Sequence, residues 1–179
     1  MNVVVGVIGV PWFGSHAFLN EYIIEHSCQR IMEVGVYNGE NAKNMVTAAI
    51  KKSPPETVEY YGFDFFSSYN EGRIGEKLEK IGCKYRLFKG NTIDTVPEAA
   101  KILPQMDVIF IDGGKSFNVA MSDWEGSSLL MHEDTAVFVH NAGFSGVRRM
   151  VEAVPRDRYD VEVFSPMFEG RVALIKKKK

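Results

Sequence analysis

Ile31-Met-Glu-Val-Gly-Val-Tyr-Asn-Gly-Glu-Asn41 reads as an apolar strand that stops, a glycine-spaced loop and the opening of a helix. Gly35 lets the backbone bend back tightly, and Gly39 leaves room for a ligand to approach the first helical turn, whose unpaired N–H groups face outward. Glu33 lies at the carboxyl end of the strand and is expected to point into the same space. The layout is that of a nucleotide cradle in an α/β fold.

Downstream, Ala42, Met45, Val46, Ala49 and Ile50 keep helical spacing, so a helix from Asn41 to Lys51 lays one apolar stripe on a sheet before Pro54-Pro55 ends it. A strand from Val58 to Phe63 stops at Asp64, about twenty-five residues beyond Gly39, where ribose-binding acids fall in nucleotide folds. Phe65 and Phe66 follow. The next strand, Lys84 to Phe88, ends in Gly90-Asn91-Thr92, and a helix runs from Ile93 to Leu103, with Pro97 acceptable only in its first turn. The strand Asp107 to Ile111 is apolar enough to be buried on both faces, and it ends in Asp112-Gly-Gly-Lys-Ser116.

A helix from Asn118 to Met131, carrying Val119, Met121, Trp124 and Leu129, leads through a His132-Glu133-Asp134 turn to the strand Thr135 to Val139. That strand ends in His140-Asn141. A short helix bearing Arg148, Arg149 and Met150 stops at Pro155, and the strands Tyr159 to Phe164 and Arg171 to Ile175 form a closing hairpin. Upstream, Asn2 to Val10 reads as an extended arm, because it lacks the basic start and cleavage pattern of a signal peptide. Ser15 is the expected N-cap of a helix carrying Phe18, Tyr22 and Ile23.

Repeated βα units closed by a hairpin imply an α/β fold: a Rossmann-like doubly wound sheet, mostly parallel, with an antiparallel C-terminal hairpin strand. A chain of 179 residues is a one-domain length. The expectation is one domain over residues 1–179, with residues 1–30 an N-terminal arm and helix and residues 31–179 the core. Ligands of such sheets sit beyond the carboxyl ends of the strands, where strand order reverses. Glu33, Asp64, Asn91, Asp112, Lys115, His140 and Asn141 all fall at those ends.

Composition narrows the partners. A net charge of −2 gives no field to recruit nucleic acid or an anionic membrane. Cys28 and Cys83 are too few for a disulfide framework, which fits a cytoplasmic setting. The closing lysines read as a solvated tail. Gly114-Lys-Ser116 is no P-loop, because the earlier glycine that motif requires falls on Ile109. An acidic Glu33 inside the cradle would repel a pyrophosphate, which argues against a dinucleotide.

Glu33-Val-Gly-Val-Tyr-Asn-Gly39 resembles motif I of class I S-adenosylmethionine (SAM)-dependent methyltransferases, in the Glu-x-Gly-x-Tyr-x-Gly form of the catechol O-methyltransferase group. Asp107-Val-Ile-Phe-Ile-Asp-Gly-Gly-Lys115 resembles the same group's strand-four segment. The Gly113 to Asp123 stretch is similar to related small bacterial and archaeal O-methyltransferases. The resemblance spans about Ile31 to Gly143.

It implies a SAM site in which Glu33, Gly35, Tyr37, Gly39 and Asn41 surround the methionine end. Asp64 would hold the ribose, Phe65, Asn91 and Thr92 would border the adenine, and Asp112 would lie beside the cofactor. It also implies methyl transfer to a small-molecule acceptor, most simply a hydroxyl, with Lys115 as general base and Asp112 at the reacting end. Asp112, His140 and Asn141 are the expected divalent-metal ligands. His140 stands where the catechol group has an Asp, which disfavours Mg²⁺ and suits Mn²⁺ or a softer transition metal. The alternative is a non-catalytic or regulatory SAM-binding domain with a degenerate metal site. Pairing of the N-terminal arm or edge hairpin with a second copy would give a homodimer.

Overall fold

The computed structural model describes residues 16–167 and 169–179. Seven strands form one sheet in the order β3-β2-β1-β4-β5-β7-β6. The strands are β1 (Arg30–Val34), β2 (Glu59–Asp64), β3 (Lys84–Lys89), β4 (Met106–Ile111), β5 (Met131–Val139), β6 (Tyr159–Phe164) and β7 (Val172–Lys177). β1 through β5 pair in parallel, and β7 runs antiparallel between β5 and β6. Strand order reverses between β1 and β4, so the crevice for a ligand opens above Val34 and Ile111.

Helices α1 (Ala17–Glu25), α2 (Glu40–Ala49) and α3 (Glu71–Glu79) cover one face. Their Leu19, Ile23, Met45, Val46, Ile74 and Leu78 pack with Ile31, Tyr60 and Phe110 of the sheet. Helices α4 (Thr92–Ala100), α5 (Phe117–Ser128) and α6 (Ser145–Ala153) cover the other. There Val96, Trp124, Val147 and Met150 meet Met32, Phe63, Ile109 and Val137. The alternation of Met32 and Val34 with Ile31 and Glu33 between the two faces is the two-residue period of a strand buried on both sides. Among the described residues, no helix is long and apolar enough to cross a membrane.

Several boundaries differ from expectation. β5 starts at Met131, so His132, Glu133 and Asp134 belong to the strand, and its register against β4 shifts between Met106 and Val108. The Thr135 hydroxyl secures that irregularity: it donates to the Met106 carbonyl at 2.5 Å and accepts from the His132 N–H at 2.8 Å. Helix α5 ends at Ser128, leaving Leu129 68% exposed rather than on the apolar face. Pro97 lies inside α4 beyond the first turn, because Asn91 caps the helix and starts it at Thr92. The carbonyl deprived of a partner belongs to Ile93, a solvent-exposed residue. Lys176 and Lys177 extend β7, and Lys177 and Lys179 pair with Glu133 and Asp134 at 3.2 and 2.9 Å, so the C-terminal lysines are not a free tail. The arm Asn2 to Val10 and the Ser15 cap lie outside the described residues.

Candidate active site at the strand ends

Backbone hydrogen bonds fix the loop after β1. Gly35 N–H donates to the Phe63 carbonyl at 2.8 Å, and Asp112 N–H donates to the Val34 carbonyl at 2.8 Å. Gly35 has φ +91, and a Cβ there would lie 2.6 Å from the Asp112 carbonyl oxygen. The loop and the end of β4 touch because this residue has no side chain. Gly39, at φ 72, is the N-cap of α2 and offers no side-chain cap of its own; Asn38 Oδ1 accepts instead from the first helical N–H, that of Glu40, at 3.0 Å. Tyr37, at φ 52, is 54% exposed, and its ring meets Tyr69 edge-on with centroids 4.9 Å apart.

Glu33 lies beneath this loop rather than open to it. Its carboxylate is 1% exposed and accepts from the Tyr60 hydroxyl and from Asn41 Nδ2, the latter at 2.8 Å. Burial pushes its carboxyl up to about 8, against the pull of those two hydrogen bonds. Asp64 braces the loop directly: Oδ2 accepts from the N–H groups of Val36 at 2.9 Å and Tyr37 at 3.0 Å, and Oδ1 accepts from Phe66 N–H at 2.8 Å. With two lone pairs on each oxygen, the remaining acceptor capacity sits on Oδ1. Phe65 beside it is 58% exposed. Asn91 spends its Oδ1 on capping α4 through Ile93 N–H at 3.3 Å, and Thr92 is buried.

At the neighbouring edge, Asp112 Oδ1 accepts from Lys115 Nζ and faces His140 Nδ1 at 3.0 Å. Burial alone would raise the Asp112 carboxyl. The His140 hydrogen bond and the Lys115 charge outweigh it and hold the group below its usual range. Asn141 follows in the left-handed region at φ 56. Asp112 and His140 are therefore brought together, and they are each other's partners. Beneath the turn, Asp123 is fully buried, and a Cβ on Gly113 would lie 2.7 Å from its Oδ2. Burial pushes this carboxyl up to about 6, opposed by Thr92 and Lys115.

Two residues at this edge escaped the sequence reading. His16, preceding α1, and Glu169, between β6 and β7, meet at 2.6 Å between Nδ1 and Oε2, and the His16 ring lies 4.8 Å from that of His140. They are 153 positions apart and belong to no local motif, so only the fold reveals them. A separate concavity of about 280 Å³, lined by Tyr22, His26, Cys28, Asp107 and His132 among others, opens at the amino ends of the strands. It is remote from these groups, on the edge that doubly wound sheets do not use for ligands.

Residues 32–142 match a family described as a methyltransferase domain. No curated protein matches by sequence. Among solved structures, the fold is similar to the O-methyltransferase TomG from Streptomyces achromogenes, involved in tomaymycin synthesis and solved with SAM. The TM-score is 0.71 at 17% identity, covering 90% of this chain and 78% of that one. It is also similar to an O-methyltransferase from Bacillus cereus in complex with S-adenosylhomocysteine (SAH), at TM-score 0.76, 15% identity and coverage of 90% and 79%. An SAH-bound methyltransferase from Podospora anserina gives 0.71, 16%, 90% and 77%.

Proposed function

Because the chain belongs to the methyltransferase-domain family that residues 32–142 match, we propose that it transfers a methyl group from SAM to a hydroxyl of a small molecule. The observation that carries this reading is the approach of Gly35 to Asp112, which opens the glycine loop and the Asp112–Lys115–His140 cluster onto one crevice. A cofactor loop and a proton-handling cluster are then within reach of one bound substrate pair.

The donor set suits this cofactor. Asp64 at the end of β2, whose Oδ1 keeps acceptor capacity for ribose hydroxyls, and the exposed Phe65 beside it, which can border an adenine, match this cofactor. The loop Gly35-Val-Tyr-Asn-Gly39 has no cation for a pyrophosphate. When bound, SAM supplies a sulfonium-activated methyl group for in-line displacement. The chain's part is positioning: Asp64 and Glu33 hold the loop in shape, and Asp112 holds Lys115 beside the acceptor. Lys115 in its neutral form takes the hydroxyl proton. The O-methyltransferases of like fold favour oxygen as the acceptor atom.

Calorimetric titration with SAM and SAH, followed by transfer of a labelled methyl group to a panel of catechols, phenols and sugar hydroxyls, tests the reading. Binding and transfer to an oxygen support it. Binding without transfer across a broad panel favours the regulatory alternative, and absence of binding overturns both.

A further inference from the structure

We propose that His16, His140 and Glu169 form a binding site for one divalent transition-metal ion of the Zn²⁺ class, with Asp112 orienting His140 from behind rather than ligating. One nitrogen from each imidazole and one carboxylate oxygen lie within 4.8 Å of one another. A tetrahedral ion with bonds of about 2.1 Å holds its ligand atoms about 3.4 Å apart. The cluster reaches that geometry if the His16–Glu169 contact of 2.6 Å opens slightly and the imidazoles close in. The three ligands come from three separate segments that the fold has already brought together.

The tautomer of His140 favours an ion, and at His16 an ion would take the place of the proton between Nδ1 and Glu169 Oε2. His140 Nδ1 is engaged with the Asp112 carboxylate at 3.0 Å, so that nitrogen carries the proton and Nε2 keeps its lone pair. A carboxylate behind a histidine is the arrangement that fixes a metal-binding imidazole and raises its basicity. The His16 ring is 7% exposed and held by Phe110 and Phe18 at centroid distances of 4.7 and 5.7 Å. That packing fixes the ring plane.

Charge and hardness select the metal. Two imidazole nitrogens and one carboxylate oxygen suit Zn²⁺, Fe²⁺ or Co²⁺, whereas Mg²⁺ requires a shell of oxygens. Three protein ligands leave a coordination position open, as in catalytic rather than structural zinc sites. Asp112 links His140 to Lys115, so an ion held by His140 would stand beside the side chain that takes the acceptor's proton. A role for the ion in binding and acidifying the acceptor hydroxyl rests on the methyl-transfer reading. Metal binding itself does not.

The test uses the whole chain, stripped with a chelator and titrated with Co²⁺ and Zn²⁺ in the absence of SAM. One Co²⁺ per chain is expected, with visible d–d bands of nitrogen and oxygen ligation that are displaced by Zn²⁺ and unaffected by excess Mg²⁺. His16→Ala and Glu169→Gln should each weaken binding at least about tenfold while circular dichroism and the SAM titration remain as in the parent protein. Absence of stoichiometric Co²⁺ binding by the parent chain overturns the proposal whatever the variants do. Retention of full affinity in both variants, with loss in Asp112→Ala, overturns it in favour of an Asp112, His140 and Asn141 site. Because no readout depends on turnover, failure here is distinguishable from failure of the methyl-transfer reading.

Discussion

Gly35 and Asp112 are in contact across the switch point of the sheet, with the Asp112 carbonyl oxygen 2.6 Å from the place a Gly35 side chain would occupy. Gly35→Ala adds left-handed strain of roughly 1–2 kcal/mol and a clash with backbone that has no rotamer to escape through. The expected outcome is a lower Tm and loss of SAM binding by calorimetry. Gly39→Ala is the contrast: its Cβ meets Ile74 side-chain atoms at 3.0 and 3.1 Å, which can move, so it should retain more stability and more affinity.

The βα alternation and the ligand edge were readable in the sequence because buried parallel strands give unbroken apolar runs that end in polar residues. Element ends were less readable wherever a side chain rather than a local propensity set them. His132-Glu133-Asp134 has the composition of a turn, but Thr135, by bridging to Met106, keeps the segment in β5. Asp64 was legible as a strand-end acid, yet its bonds to Val36, Tyr37 and Phe66 depend on where the glycine loop folds back. His16 and Glu169 carry no periodic or motif signal and meet only through tertiary structure.

Asp64→Asn tests the bracing of the loop. An amide offers one acceptor oxygen where the carboxylate offers two, and its NH₂ would face an N–H donor of Val36 and Tyr37 or of Phe66. The variant should lose roughly 1–3 kcal/mol in urea denaturation and bind SAM at least about tenfold more weakly. Unchanged values in both measurements would remove Asp64 from this role.

Glu33 predicts an unusual pH dependence of stability. Its carboxyl is raised from 4.5 to about 8 in the folded protein, chiefly by burial, so the native state binds the proton more tightly than the unfolded chain. Stability from this group is therefore complete below about pH 4.5 and declines as pH rises through about 8. Glu33→Gln keeps an acceptor for Tyr60 and has no proton to lose. Its stability relative to the parent chain should rise between about pH 5 and about pH 9 in denaturant titrations, and parallel profiles would contradict the assignment.

Lys115 separates proton transfer from simple charge. Lys115→Met keeps the aliphatic stem and removes the amine, so SAM affinity should change by less than about threefold while turnover falls by roughly 10²–10⁴. Lys115→Arg restores a cation that does not give up its proton. If Lys115 takes the acceptor's proton, the arginine variant should be as slow as the methionine variant in single-turnover assays. Recovery of most of the rate by arginine would instead make the residue an electrostatic partner of the developing oxyanion, with Asp112 serving only to aim it.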